Sequence, residues 1–388
     1  MTTYFADFHI HIGRSQGKPV KMAAAPSLTL PNLLDHSKNL KGLDVVTVID
    51  GVCTGVQKDI KQMIDEGKMI LQPGGGYLYE NGLLVLLGSE IEIAGPNGGA
   101  AHFGCWMPTL EAASDFSKWL STVQKNVSLS SQMARTDAFT LQKEVMDRDG
   151  IFIIHHAFTP HKGIYGNCVS KLGDMLDMSL VDALELGLSA DTDMADCISE
   201  IKDLTFISDS DAHSLPKIAR EYNKIEIPSL TFREIQHCFA RTNGRGVVAN
   251  YGLLPTLGKY HRSFCLNCEQ TWPIGASACS CGSTKRVKGV FDRLLEVRDR
   301  ETAIHPGHRP QYVYQVPLEF IPGIGKKTLQ KLLDAFGTEM AVLHRATVDE
   351  LALVVGEILA KRIDDARTGR IHVIDGGGGI YGKIDMSV

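Results

Sequence analysis

The chain has 388 residues, 44% of them hydrophobic and 22% charged, the balance of a water-soluble globular protein with room for two or three domains. No apolar run approaches bilayer length, Leu83–Leu87 being among the longest, so no membrane role is expected. Lys plus Arg against Asp plus Glu is 22 against 30 over residues 1–257 and 18 against 15 over 258–388, so the net −5 hides an acidic first part and a mildly basic second.

No basic stretch leads into a hydrophobic segment at the N-terminus, so no secretory signal is expected. Nine cysteines, four of them packed between 265 and 281, point to a reducing, cytoplasmic setting and a metal knuckle rather than a disulfide framework. The only biased tract is Gly376–Gly379.

Thr3-Tyr4-Phe5 are good strand formers and lead into Asp7-Phe8-His9-Ile10-His11. On a strand, Asp7, His9 and His11 share one face while Phe8, Ile10 and Ile12 take the other. Three ionisable groups on one face of a core strand need a partner, and a divalent metal is one. His9 and His11 are the expected ligands, with Asp7 orienting an imidazole behind them.

The stretch 14–31 is long for a plain connection, so it is expected to line something, with Arg14 a candidate DNA contact. A short helix is expected over 33–40, and 44–50 reads as a buried parallel strand ending on Asp50. Residues 56–68 read as a helix, 82–93 as a third strand carrying Glu90, and 100–105 as a fourth carrying His102. Helices over 111–121 and 137–149 precede a strand that runs into His155-His156, with His156 taken as the ligand. Then come a strand carrying Glu185, a helix over 194–202, and 204–213, where Asp209, Asp211 and His213 share a face. Thr231 opens a helix with Glu234 as capping-box partner, and 247–249 closes the series.

Strands separated by helical crossovers predict a parallel α/β fold with its chemistry at the C-terminal strand ends. The residues collected there are His9, His11, Asp50, Glu90, His102, His156, Glu185, Asp211 and His213. Such a set of imidazoles and carboxylates suits a multinuclear zinc, manganese or iron site.

Asp7-x-His9-x-His11, Glu90, His102, His156 and Ser210-Asp211-Ala212-His213 resemble, in order and approximate spacing, the PHP (polymerase and histidinol phosphatase) family. That resemblance implies a distorted (β/α)7 barrel, phosphoesterase chemistry and two or three divalent ions (zinc, manganese or magnesium). It also implies that His9, His11, Glu90 and Asp211 hold one ion, and that Glu90 bridges to a second held with His102 and His156. Where the family often has Thr-Asp-His after the second strand, this chain has Ile49-Asp50-Gly51, which removes a histidine ligand from a third site; His36 is a candidate substitute that no spacing argument supports.

Around the rim, Phe158 and Tyr165 are expected to offer stacking surfaces to a base, and Lys217 and Arg220 to meet phosphate. Cys265-x-x-Cys268 and Cys279-x-Cys281 bring four thiolates to the spacing of one structural zinc. Ile321-Pro322-Gly323-Ile324-Gly325-Lys326-Lys327 resembles a helix-hairpin-helix, whose Gly-x-Gly turn frees backbone N–H groups for a DNA phosphate. A weaker copy is expected at Val354-Val355-Gly356.

A PHP barrel (1–257), a four-cysteine zinc-binding module (258–300) and a helix-hairpin-helix region (301–388), in that order, resemble the endonuclease Q family over nearly the whole chain. The resemblance implies nicking of double-stranded DNA 5′ of deaminated bases (uracil, hypoxanthine, xanthine) and of abasic sites. It implies a nucleoid-associated enzyme, with a replication or repair clamp as a candidate partner. A PHP-type phosphatase acting on a small monoester and a non-catalytic DNA-binding scaffold are the competing readings.

Overall fold

The computed structural model describes residues 1–370, 373–374 and 382–384; the tract Gly376–Gly379 lies outside them. β1 (Thr2–Ile10) is buried from Ala6 onward, and β2 (Val45–Val48) lies parallel to it. A hairpin of β3 (Met69–Leu71) and β4 (Tyr77–Tyr79) extends the edge beyond β5 (Leu84–Leu87), which is parallel to β2. The expected single strand over 82–93 is two, because the chain changes sheet at Gly88-Ser89 before β6 (Glu90–Ala94). A Cβ on Gly88 would lie 2.7 Å from Thr47 and 2.9 Å from Trp106, so only glycine fits that crossing.

β7 (Ala100–Trp106) runs antiparallel to β6. After the short β8 (Met133–Ala134) come β9 (Ile151–Ile154), β10 (Ala183–Glu185) and β11 (Thr205–Ile207), parallel to one another. Two sheets result, and isolated bridges join them. Leu87 pairs with Met107, and Ile10 with Ala212, closing β1, β2, β5, β7, β9, β10 and β11 into a seven-stranded ring. This is the distorted barrel that the pattern implies, with β7 reversed. Its interior is one apolar cluster to which every ring strand contributes, Phe8, Ile49, Leu86, Trp106, Ile153, Ala183 and Ile207 among them.

Some elements differ from expectation. The helix expected over 194–202 is one turn (Thr192–Ala195) followed by a 3-10 turn (Ser199–Ile201). Thr231 caps its helix, but Glu234 turns away to Arg245, so the reciprocal half of the capping box is absent. β12 (Tyr222–Ile227) was not foreseen; it and β13 (Gly246–Gly252) run antiparallel beyond β1.

The later modules dock on this barrel. β14 (Gln311–Tyr314) adds in parallel to β13. Helix Val290–Val297 follows the cysteine module, and its Arg293 bonds the carbonyls of Tyr165 and Val169. Four helices, Lys326–Phe336, Glu339–His344, Val348–Val355 and Glu357–Arg367, enclose their own core around Leu332, Val342, Leu351 and Ile363. His344 locks them to the barrel by stacking on Phe5 at 4.4 Å and bonding the Tyr222 hydroxyl at 2.7 Å. No helix among the described residues is long and apolar enough to cross a membrane.

Candidate metal centre and DNA-contacting surfaces

Glu90 opens β6 and sits at the centre of the rim, 3% exposed. Its Oε2 faces four imidazoles: His102 Nδ1 at 3.0 Å, His156 Nε2 at 3.3 Å, His9 Nε2 at 3.5 Å and His155 Nδ1 at 3.6 Å. Its Oε1 meets Lys21 Nζ at 2.9 Å, accepts from the Ser131 hydroxyl, and lies 3.8 Å from His11 Nε2. His9 Nε2 and His11 Nε2 are 3.3 Å apart and lie 3.5 and 3.6 Å from Asp211 Oδ1, so four donors converge.

Two donor clusters therefore share Glu90, one with His9 and His11, the other with His102 and His156. Two more combine His9 with His155 and Glu185, and His11 with Asp211 and His213. Burial pushes His11 and His155 down to about 4, so both are neutral at pH 7 and offer a lone pair. Burial alone would raise Glu90, but His102 and Lys21 outweigh it and hold the carboxyl well below its usual range.

Behind the donors sits a supporting layer. Glu185 Oε2 is 2.9 Å from His9 Nδ1, and Glu92 Oε2 is 3.1 Å from His102 Nε2. Asp50 was expected as a ligand but joins no donor cluster among the described residues; it accepts from the Ile12 amide at 2.6 Å and lies 3.3 Å from His11 Nδ1. The orienting role expected of Asp7 thus falls to Glu185 and Asp50. Asp7 instead accepts from the amides of Ser210 and Ala219, at 3.1 and 2.9 Å, and ties down the loop that carries Asp211 and His213. That loop holds Asp211 at φ 44° and Ala219 at φ 56°, a left-handed backbone that costs a non-glycine residue roughly 1–2 kcal/mol. His36 joins none of the clusters among the described residues.

A cavity of about 630 Å3 opens beside the rim, walled by His156, Glu185, Asp211 and His213 together with Thr159, His161, Ser189, Lys259 and Tyr260. Phe158 and Tyr165 are not in that wall. They are 1% and 0% exposed and stack on each other at 5.4 Å, and the Tyr165 hydroxyl bonds Glu200. Lys217 lines the cavity but pairs with Glu319 at 2.5 Å and lies over Phe320. Nor does a helical turn separate it from Arg220; a 3-10 turn and the kink at Ala219 do. Arg220 bonds the carbonyls of Ser210 and Asp211, so it braces the metal loop. Arg14 is exposed on the small hairpin Arg14–Ser15 and Lys18–Pro19, beside a second cavity that none of the donor residues lines.

Sequence reasoning passed over His155, Lys21, Ser131 and Tyr260. The adjacent His155-His156 pair was the available signal for the first, since two histidines at a strand end can both turn inward.

The four cysteines converge as expected. Cys265 Sγ is 3.7 Å from Cys281 Sγ, Cys268 Sγ is 3.5 Å from Cys279 Sγ, and all four lie within 4.8 Å of one another. Burial would raise the Cys265 thiol, but the amides of Asn267 and Cys268 outweigh it and bring it down to about 6, toward the thiolate that binds zinc. At the first hairpin Gly323 has φ 101° and Gly325 opens helix Lys326–Phe336 with no side-chain cap, leaving its first amides and the exposed Lys326 and Lys327 to an anion. At the second, Gly356 has φ 84° and opens helix Glu357–Arg367, but an acidic residue stands where the first has Lys326.

Residues 317–366 match the family described as SAM-like helix-hairpin-helix tandem. Protein YqxK of Bacillus subtilis is 45% identical over 388 residues, spanning 99% of this chain and 100% of YqxK. The crystal structure of the lesion-specific endonuclease PfuEndoQ from Pyrococcus furiosus superposes with a TM-score of 0.85 at 29% identity, covering 99% of this chain and 95% of that one. The complex of Endonuclease Q with a 27-mer duplex bearing an abasic lesion at the active site gives the same TM-score and identity over 99% and 96% of the two chains.

Barrel, donor-lined rim and tandem hairpins define a hydrolase that cuts DNA internally, a DNA endonuclease. More particularly, the chain belongs to the endonuclease Q family.

The cysteine geometry carries its own test. Cys281→Ser should release about one zinc per chain and lower the thermal stability of the module, since structural zinc supplies folding energy. An unchanged zinc count would remove the cysteines from the ligand set.

Proposed function

We propose that the chain flips a damaged nucleotide out of duplex DNA and nicks the strand on its 5′ side, at uracil, hypoxanthine, xanthine and abasic sites. The observation that carries the reading is Glu90, shared by two donor clusters, of which the second reaches the cavity wall through His156, while Asp211 beside the first lines the cavity as well. His9, His11, Glu90 and Asp211 would hold one divalent ion, and Glu90, His102 and His156 a second. Ions held there supply Lewis-acid polarisation of a phosphodiester. Nitrogen-rich donor sets favour zinc or manganese over magnesium, which prefers oxygen. Gly51, where a further histidine would stand, argues for two ions instead of three.

A small-molecule phosphatase would use the same rim but leaves the cysteine module and the hairpins without a role. A DNA-binding scaffold leaves the convergent donors without one. Both parts have work to do only if a DNA backbone is gripped by the hairpins and cut at the rim.

A base stacked inside a duplex cannot reach a concave rim, and unstacking costs a few kcal/mol, less at an abasic site. The cavity is of ordinary ligand size. Tyr260 and His161, ring centroids 5.1 Å apart, form the aromatic wall that we assign to the flipped base in place of Phe158 and Tyr165. The hydroxyl of Ser189, which also lines the cavity, suits the carbonyl that deamination leaves where an amino donor stood, whereas the Thr159 hydroxyl already donates to its own loop's carbonyls.

Two outcomes follow. His9→Ala or Asp211→Ala should abolish nicking of an abasic duplex while leaving its binding nearly unchanged, because the hairpins hold the backbone; wild-type turnover in either variant would sink the site. Tyr260→Ala should lower uracil cleavage about tenfold, the worth of one stacking contact, and leave abasic cleavage within about twofold. Equal losses on both substrates would make Tyr260 a backbone contact.

A further inference from the structure

We propose that the helix-hairpin-helix unit, besides gripping DNA, holds the metal loop in its working shape through Lys41–Glu339 and Lys217–Glu319, which makes these four residues positioning residues for Asp211 and His213. The inference rests on the reading of His9, His11, Glu90 and Asp211 as a metal site.

The loop between β11 and β12 carries both Asp211 and His213 and is left-handed at Asp211 and Ala219. A shape of that kind persists only where its surroundings over-determine it. Asp7 and Arg220 secure the two ends of the loop, at Ser210, Asp211 and Ala219. Its middle is secured from elsewhere. Lys41 Nζ bonds the Pro216 carbonyl at 3.1 Å and both carboxylate oxygens of Glu339 at 2.9 Å, with Lys41 3% and Glu339 8% exposed. Lys217 reaches Glu319 at 2.5 Å and the face of Phe320 at 4.4 Å.

Those partners stand on either side of the first hairpin. Glu319 and Phe320 lie in the turn Leu318–Phe320, just before Gly323. Glu339 begins the helix that follows Lys326–Phe336, the helix whose uncapped N-terminus is the one offered to a phosphate. The seam is tight as well: a Cβ on Gly42 would lie 2.5 Å from the Thr338 hydroxyl. The elements that would take the load of DNA are thus fastened to the segment between a metal donor and its brace. An ordinary inter-domain seam would share the contacts, but would not alter how the rim binds a metal.

The test uses the full-length chain after mild chelation that spares the cysteine zinc. Mn2+ is titrated by calorimetry into wild type, Lys41→Met, Glu319→Gln and the exchange Lys41→Glu/Glu339→Lys, with nicking kinetics and Tm in parallel. Loss of an outer support should weaken Mn2+ binding about tenfold in Lys41→Met and lower kcat with it. KM for an abasic duplex should stay within about twofold, and the exchange should leave the Mn2+ affinity as low as in Lys41→Met, because a carboxylate at position 41 has no proton to donate to the Pro216 carbonyl. Glu319 is on the surface, so Glu319→Gln will fold even if Lys41→Met does not, and its Mn2+ affinity should fall about threefold, less than for a buried support. Wild-type Mn2+ affinity in every folded single variant, with only Tm lowered, would overturn the proposal. If wild type binds Mn2+ but cuts no DNA, the proposed function fails while the Mn2+ comparison still decides this inference. If wild type takes up no Mn2+, the metal reading falls and this proposal with it.

Discussion

A buried carboxylate among imidazoles is the constraint on which this molecule depends. Glu90 is 3% exposed, with four rings against one oxygen and an ammonium against the other. An ionised group so buried is costly unless opposite charge and hydrogen bonds compensate it. The barrel supplies that compensation by bringing seven strand ends to one rim, and by a layer of carboxylates behind the rings. Donor geometry and supporting layer are one structure, so the rim tolerates little change at Gly104 as well, where a Cβ would lie 2.4 Å from His155 Nε2.

The remaining modules answer a different need. A rim of imidazoles and carboxylates would act on the phosphodiester presented to it, so recognition of DNA falls to the elements outside it. The hairpin at Gly323–Lys327 has an uncapped helix start and two lysines that suit an anion, while the second hairpin has Glu357 at the same point and no added cations. The cysteine module leads by way of helix Val290–Val297 to the loop that carries Phe158 and Tyr165, and Tyr260 enters the cavity wall from its leading edge.

Much of this is legible in the sequence, for physical reasons. Alternation on β1 and a polar residue at successive strand ends exposed the donors, because ionisable residues in apolar strands demand an explanation. Four cysteines at close spacing and a Gly-x-Gly turn before lysines are similarly specific. What sequence could not rank was depth. Phe158 and Tyr165 read equally well as stacking surfaces or as packing, and they pack, because the loop folds back on itself with Tyr165 anchored on Glu200. Lys217 and Arg220 looked like free cations, yet their partners are more than one hundred residues away for Lys217 and in the opposite bank of the same loop for Arg220. Asp50 took over the orienting role expected of Asp7, which turns to the Ser210 and Ala219 amides instead, and a register shift in β1 between Asp7 and Ile10 accompanies the change, which alternation alone does not foresee.

The central claim is that two ions share Glu90, and metal content measures it directly. Plasma mass spectrometry on purified wild type, Glu90→Gln and His102→Ala, each corrected for the cysteine zinc, should show both rim ions lost or greatly weakened in Glu90→Gln but only one in His102→Ala. A Glu90→Gln protein that keeps the wild-type metal content would contradict the shared carboxylate, and with it this account of the site.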